Sequence, residues 1–316
     1  MKISGFTFSR NATKLHYPIK ESILSILDIV DEFVVVLGDN DPDDTSREEV
    51  LSIGSPKIKI IDTVWDLETY KRGTVHAQQT DVAMKACTGD WLIYLQADEV
   101  IHEQDHQTIV DSCKKYLNDK EVEGLLFKYK HFWGSYNNYH VAHGWYPFEI
   151  RIVRNLPDVH SWESAQSFRR IPDFDGINYR RKKEGTFKLK VALIDAYIYH
   201  YGWVRPPHGM QKKRKYFESN HRGKEAAEAK FIGSSDEFDY GPMKYTREYK
   251  GTHPKVMADK IKAFDWGHKL YHDGPIVNRD MFKHERLKYR IVTWIEQNLM
   301  GGRSLGGFKN YKIIRK

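Results

Sequence analysis

Residues 89–100 read Gly-Asp-Trp-Leu-Ile-Tyr-Leu-Gln-Ala-Asp-Glu-Val, and this stretch limits what the chain can fold into more than any other. Five bulky apolar residues, Trp91 to Leu95, follow a Gly-Asp turn signal, a length and bulk that suit a strand buried on both faces. Asp98 and Glu99 then stand where that strand would leave its sheet. In an open α/β sheet, ligands gather just outside the carboxyl ends of the strands, so two acids there are placed to meet one. A hard divalent cation bridging to a phosphate is the partner that paired carboxylates suit. The alternative is that Asp98 caps a helix beginning near Glu103 and that Glu99 is solvated.

The flanking sequence supplies the rest of such a sheet. Ile3 to Phe8 reads as a first strand with Arg10-Asn11 in a polar loop behind it. Pro18 opens a helix whose Ile19, Ile23, Ile26, Leu27 and Val30 recur at helical spacing. Glu32 to Leu37 is a short second strand, much of it β-branched, that runs into Gly38-Asp39-Asn40-Asp41-Pro42-Asp43-Asp44-Thr45. That loop is too acidic to cradle phosphates, but an Asp just past a strand end can accept hydrogen bonds from a base or ribose. Turn chemistry and helix capping account for Asp43, Asp44 and Thr45 without a ligand. Lys57 to Ile61 gives a third strand, Thr74 to Cys87 a weakly amphipathic helix closed by Thr88-Gly89, and Glu103 to Leu117 a helix after the central strand. This alternation is that of a parallel sheet with right-handed crossovers, a nucleotide-binding class of architecture.

Beyond Leu117 the rhythm changes. Gly124 to Lys130 and Phe148 to Val153 read as strands separated by a loop holding His131, Phe132, Trp133, Tyr136, Tyr139, His143, Trp145 and Tyr146. Such rings either stack on the apolar faces of sugars or bases or fill a core. Phe187 to Leu193 alternates at period two, and Ile194 to Tyr199 leads to His200-Tyr201-Gly202-Trp203. The chain turns helical and charged beyond Pro206 to about Lys230, and Ser234 to Gly251 reads as loop. A last helix over Phe282 to Leu299 sets Leu287, Ile291, Ile295 and Leu299 four apart, a stripe suited to packing on the main domain or else to a membrane surface.

Charge distinguishes the two ends of the chain. From Arg279 to Lys316 there are ten Lys or Arg against three acids, while the rest carries forty of each, so the whole net charge of +7 lies in the tail. A basic end attracts nucleic acid, anionic lipid or a phosphate-bearing acceptor, or it keeps the protein soluble. No run of about 18 apolar residues exists to span a bilayer, and Met1-Lys2-Ile3-Ser4-Gly5 lacks the apolar core of a signal peptide. Cys87 and Cys113 alone make neither a disulfide framework nor a zinc spacing, so a reducing compartment is expected.

Arg10-Asn11 after the first strand, Asp43-Asp44-Thr45 after the second and the Gly89–Glu99 block together resemble the family 2 glycosyltransferases, which have the GT-A fold. The resemblance covers about residues 3–203 and is most specific in Gly89–Glu99. It implies a Rossmann-like mixed α/β sheet flanked by helices, with residues 1–230 as nucleotide-sugar-binding and catalytic domain and 231–316 as a loop-rich, helical, basic extension. In that family the strand ends Leu-Asp-Ala-Asp-Asp or Leu-Asp-Ala-Asp-Glu, the DxD motif, whose second Asp holds the metal on the donor's diphosphate. By position that residue is Asp98, and Gln96 replaces the first Asp. The resemblance also implies that Asp39 faces base and ribose and that Thr7 to Asn11, with Phe8, Arg10 and Asn11, flanks the uridine or another nucleotide. Gln79, within Gln78-Gln79-Thr80-Asp81, stands in the region where the family carries a nucleotide-contacting Ala-Arg-Asn. Val159-His160-Ser161-Trp162-Glu163 is similar to the Val-His-Glu region of lipopolysaccharide-core glucosyltransferases, displaced by the inserted Ser-Trp, and His200 resembles the histidine that closes the metal site.

The activity so implied is an inverting transfer of a sugar from a nucleotide-diphosphate sugar, UDP-linked by preference, to a hydroxyl of a glycan or lipid-linked acceptor. Mg2+ or Mn2+ on Asp98 and His200 would neutralise the leaving group. A carboxylate would take the acceptor's proton, Glu163 first and Glu149 second, the latter otherwise a strand-end ion pair with Arg151 or Arg154. The implied setting is cytoplasmic, with peripheral membrane contact through the basic tail. Among rivals, a sugar nucleotidyltransferase generally carries a Gly-rich basic loop after its first strand, and Ser9-Arg10-Asn11-Ala12-Thr13 has no glycine. A nucleic-acid-binding protein would explain the tail and the aromatics, but no helix-turn-helix, RNA-recognition signature or zinc spacing is present, so nucleic acid is not the expected partner. An inactive scaffold of the same fold is the third reading, suggested by Gln96.

Overall fold

A computed structural model describes residues 1–182, 184–276, 279–306 and 309–314. The amino-terminal half alternates strand and helix: β1 (Ile3–Ser9), α1 (Ile19–Leu24), β2 (Glu32–Leu37), α2 (Ser46–Leu51), β3 (Ile58–Asp62), α3 (Thr74–Lys85), β4 (Trp91–Tyr94), β5 (Glu99–Ile101) and α4 (His106–Tyr116). Strands then dominate, as β6 (Gly124–Trp133), β7 (Asn138–His140), β8 (Phe148–Arg154), β9 (Val159–Trp162), β10 (Ser167–Arg170) and β11 (Phe187–Trp203). The remainder holds α5 (Pro207–Arg222), α6 (Lys224–Phe231), β12 (Arg247–Glu248), α7 (Ala258–Lys262), α8 (Leu287–Asn298) and β13 (Tyr311–Ile313).

The expected α/β class is what the chain adopts, a mixed sheet flanked by helices. Its strand order is β3-β2-β1-β4-β8-β6-β11. The first four run parallel, β8 is inserted antiparallel between β4 and β6, and β6 pairs parallel with β11. The Trp91–Leu95 run is central, as its bulk requires: Trp91, Ile93 and Leu95 enter one core with Phe33, Val35 and Leu37, while Leu92 and Tyr94 enter another with Val34 and Val36. Period two thus distributes each strand between two apolar layers.

Several elements differ from the sequence expectation. The first helix stops at Leu24 instead of reaching Val30, yet Ile26 and Val30 stay buried because the following turns keep them on the same core. Asp98 caps no helix; the short 3₁₀ turn Glu103–Asp105 is capped by His102, whose Nδ1 accepts from the Gln104 amide at 3.2 Å. The two expected segments Phe187–Leu193 and Ile194–Tyr199 are one strand of 17 residues, which absorbs its bend through register shifts after Leu193 and His200.

The carboxy-terminal part is loop-rich with short helices. Within it Phe238, Tyr240 and Met243 pack on Trp133, and Met257 and Trp266 pack with Phe132, Tyr199 and Tyr201. β13 pairs parallel with the start of β11, so part of the basic tail joins the sheet; Arg315 and Lys316 lie outside the described residues. The last helix does not bury its apolar stripe as expected. Leu287, Ile291 and Leu299 are 66%, 53% and 68% exposed, and α8 is held instead by Glu296, which accepts from His143 Nδ1 at 2.8 Å.

Candidate functional site

Parallel strands leave their carboxyl ends at one rim of the sheet, and there the chain forms a cleft of about 380 Å³. Phe8 and Ser9 come from the end of β1, Arg10 from the loop behind it, and Gln96, Ala97 and Asp98 from the turn after β4. Trp65 follows β3, His76 lies in the first turn of α3, and Phe8 stacks on His76 at 5.8 Å between ring centroids. His200 and Trp203 come from the end of β11, and α5 lays Met210, Lys213, Arg214 and Phe217 along the same space. Spacings of three and four put those four side chains on one helix face.

Asp98 is 6% exposed and its carboxylate faces a lysine and a histidine. Lys213 Nζ stands 3.4 Å from Asp98 Oδ2 and donates to the Gly202 carbonyl at 2.8 Å, while His200 Nε2 lies 3.7 Å from the same Oδ2. Burial works to raise the Asp98 carboxyl, but Lys213, His200 and Arg205 outweigh it and hold it below the usual carboxylate range. Burial and the Arg205 guanidinium pull Lys213 down to about 7. Burial likewise lowers His200, against the pull of Asp98 and Glu99. A hydrogen-bond chain sets the imidazole tautomers. His131 Nε2 donates to the Tyr146 carbonyl at 2.8 Å, so its Nδ1 is the acceptor for His200 Nδ1 at 3.0 Å. His200 Nε2 is then a lone pair facing a carboxylate, an arrangement that a positive charge relieves. Gly202 has to be a glycine here, since a Cβ would overlap both His200 Nε2 and Asp98 Oδ2.

The other expected site residues divide between the cleft and its supports. Phe8, Arg10, Gln96, Asp98 and His200 line the cleft. Asp39 lies behind Arg10, its Oδ2 taking the guanidinium at 2.9 Å and its Oδ1 accepting from the Trp65 amide at 3.0 Å. Asn11 adopts a left-handed φ of 59° and ties two loops together, its amide donating to Asn40 and its Oδ1 accepting from the Asp41 amide. Gln79 is 1% exposed, its Oε1 accepting from Thr63 and its Nε2 donating to Gln78. Glu99 does not join Asp98 toward a ligand: it forms a buried bidentate pair with Arg151, at 2.7 Å for each oxygen.

Neither expected base lines this cleft. Glu163 sits in the β9–β10 turn with a left-handed φ of 56°, its carboxylate 3.4 Å from the exposed Lys182, and its neighbour Ser164 reaches the cleft wall. Glu149 is sealed against Ser167, which donates to it at 2.7 Å, and burial pushes its carboxyl up to about 7. Of the aromatic loop, Phe132, Trp133 and Tyr136 are core, whereas Trp145 and Tyr146 line a second cavity of about 1300 Å³ with Lys283, Arg303 and Lys309. Lys213, Arg214, Trp65 and His76 were not anticipated from the sequence. The one available signal was the Met210, Lys213, Arg214, Phe217 spacing after Pro206-Pro207.

A divalent cation on Asp98 and His200 fits these residues poorly. Gln96 is a neutral amide that donates to the Ala165 carbonyl at 3.1 Å, Glu99 is committed to Arg151, and an ammonium already faces Asp98 Oδ2. Among the described residues no group of three or more His, Cys, Asp or Glu side chains gathers around a cation-sized space.

No protein-family model matches the chain, and no curated protein matches it. Among solved structures it is similar to S. aureus TarS residues 1–349, at 16% identity and a TM-score of 0.37, over 70% of this chain and 65% of that one. A longer S. aureus TarS structure aligns at 18% identity and a TM-score of 0.38, over 73% of this chain and 43% of that one. Glucosyl-3-phosphoglycerate synthase from Mycobacterium tuberculosis, solved with Mn2+, UDP and glucosyl-3-phosphoglycerate, aligns at 16% identity and a TM-score of 0.29, over 42% and 45%. The chain thus spans less than two thirds of the TarS chains it matches.

Proposed function

We propose that this protein is a GT-A glycosyltransferase that moves a sugar from a nucleotide-diphosphate donor to a hydroxyl of a glycan or lipid-linked acceptor. The observation that carries the reading is the composition of the cleft: an aromatic wall of Phe8, Trp65 and His76 beside Arg10, Lys213 and Arg214, at the carboxyl ends of parallel strands. Rings give a base or sugar a surface to stack on, and cations beside them meet a diphosphate. The residue resemblance over Gly89–Glu99 points the same way.

In the proposed reaction the acceptor oxygen attacks the anomeric carbon as the bond from that carbon to the diphosphate oxygen breaks. The bonding pair leaves with the diphosphate, and the acceptor's proton passes to a carboxylate. Glu163 is our candidate for that base, because Lys182, its ion-pair partner, is 65% exposed and such surface pairs hold weakly. Attack from the face opposite the leaving group inverts the anomeric centre. A lipid-linked acceptor would place the enzyme at a membrane surface, and the exposed apolar stripe of α8 within the basic tail supports that contact.

The test is thermal denaturation with UDP, GDP and dTDP, followed by turnover of the sugar-linked form of whichever binds. Ligand at a hundred times its Kd should stabilise the fold by about 2.7 kcal/mol. Stabilisation by none of the three would remove the donor reading. Full turnover in Glu163→Gln would move the base elsewhere.

A further inference from the structure

The charge that a diphosphate needs in this cleft is already built into α5. Lys213 reaches Asp98 from a helix that also contributes Arg214, Tyr216 and Phe217 to the wall, and its ammonium is fixed by the Gly202 carbonyl at 2.8 Å and by the Tyr17 ring at 4.8 Å. The carboxylate that would ligate a metal therefore has a cation before it. A metal at a carboxylate bonding distance of about 2.0–2.1 Å from Asp98 Oδ2 would stand beside that ammonium, and like charges in a desolvated cleft repel strongly. The supporting acids are also missing: Gln96 is neutral and Glu99 is spent on Arg151. Arg10, Lys213 and Arg214 share the wall with the single acid Asp98, so cations of the chain itself stand where a diphosphate would lie; Arg10 is braced from behind by Asp39, and an incoming diphosphate would favour the charged form of Lys213.

We infer that Lys213, held by Asp98, binds the diphosphate of the donor and stabilises it as leaving group in the place where a divalent cation was expected. The inference rests on the nucleotide-sugar reading above and assigns within it the residue that receives the leaving charge. When the anomeric carbon–oxygen bond breaks, the electron pair stays on the diphosphate oxygen and the ammonium faces it; no proton need move. Asp98 is then a positioning residue. It keeps the lysine side chain extended into the cleft, its Oδ2 3.4 Å from the Lys213 ammonium.

Calorimetric titration of the full chain with UDP and with uridine, each in EDTA and in Mn2+, tests this. In EDTA the wild type should bind UDP more tightly than uridine, with little change on adding Mn2+. Lys213→Met should lose about tenfold or more in UDP affinity, the scale of one charge-assisted contact, while its uridine affinity stays as in wild type. UDP binding that vanishes in EDTA and returns with Mn2+, or a folded Lys213→Met that binds UDP as wild type does, would overturn the inference and leave the nucleotide reading standing. Should Lys213→Met not fold, the wild-type comparison of UDP with uridine in EDTA decides alone, because equal affinities would mean that no built-in charge meets the diphosphate. If neither UDP nor uridine binds, with or without Mn2+, while GDP or dTDP does, the same four titrations run with that nucleotide and its nucleoside; if no nucleotide binds, the reading and the inference fall together.

Discussion

Asp98 and Glu99 are neighbours in sequence and have opposite duties. The turn after β4 aims Asp98 into the cleft, whereas Glu99, the first residue of β5, points into the sheet toward Arg151, Tyr129 and the Gln96 amide. A buried pair of this kind is costly to break from one side, since the other charge is left without a partner. Glu99→Gln should therefore lower stability by about 3–5 kcal/mol, read from urea denaturation; a loss below 1 kcal/mol would mean that Arg151 finds compensation elsewhere. Glu149 makes a different prediction, one of pH. Burial raises its carboxyl from 4.5 to about 7 in the fold, against the pull of Arg151 and Ser167. The folded state keeps a proton that the unfolded chain releases near 4.5, so the site's contribution is full below that pH and is lost as pH rises through about 7. Glu149→Gln cannot ionise, and its stability relative to wild type should rise between pH 4.5 and 8 by roughly 3 kcal/mol at most. A flat difference across that range would show that Glu149 titrates normally. At this scale the position of Asp98 was legible, because a strand end fixes where the next residues emerge. The direction of Glu99 was not, since it depends on the four residues 95–98 that return the chain to the sheet as β5, and on an arginine 52 positions away.

Elements with a single strong pattern were legible: β2 spans the expected Glu32–Leu37 around its β-branched Val34–Val36, and β4 occupies Trp91–Tyr94 of the expected Trp91–Leu95. Those that depend on partners were not. The β9–β10 hairpin carries no turn dipeptide and is held by Asp81, which takes His160 Nδ1 and the Ser161 amide at 2.7 Å each, so nothing local announces it. The last helix is the instructive case, because its periodicity was read correctly and its buried face was not. Hydrophobic spacing says which residues share a face, not what that face meets. Leu287, Ile291 and Trp294 of α8 and Leu299 just after it stay exposed, beside Arg286, Lys288 and Arg290. An apolar band edged with cations suits an anionic bilayer surface, where each basic residue contributes about 1 kcal/mol. The wild type should float with phosphatidylglycerol vesicles and much less with phosphatidylcholine, and the double variant Ile291→Glu, Trp294→Glu should stop floating with an unchanged melting temperature. A wild type that stays unbound to both vesicles but sediments as a dimer would assign the stripe to self-association.

The whole molecule raises the question whether residues 231–316 are an appendage or part of the fold that holds the cleft. Their contacts argue for the second. Trp133 Nε1 on β6 donates to the Tyr240 carbonyl at 2.9 Å, Trp266 Nε1 donates to the Gly134 carbonyl at 2.8 Å, and β13 extends the sheet along β11. The link reaches the site as well, for the Tyr240 hydroxyl donates to the carbonyl of Arg205, the buried guanidinium that donates to Gly202 and lies over Tyr17 beside Lys213. Removing the segment would uncover Phe132, Trp133, Tyr199 and Tyr201 together. Each large apolar side chain returned to water costs about 1.5–3 kcal/mol, so four of them approach the entire 5–15 kcal/mol by which a domain is usually stable. The full chain should accordingly melt in one calorimetric transition, and a chain ending at Lys230 should aggregate or lose its near-ultraviolet circular dichroism. If that shortened chain instead stays monomeric, melts cooperatively and still binds the nucleotide that the full chain binds, the carboxy-terminal segment is dispensable to the cleft, and the support it lends through Tyr240 and Arg205 is not what keeps Lys213 in place.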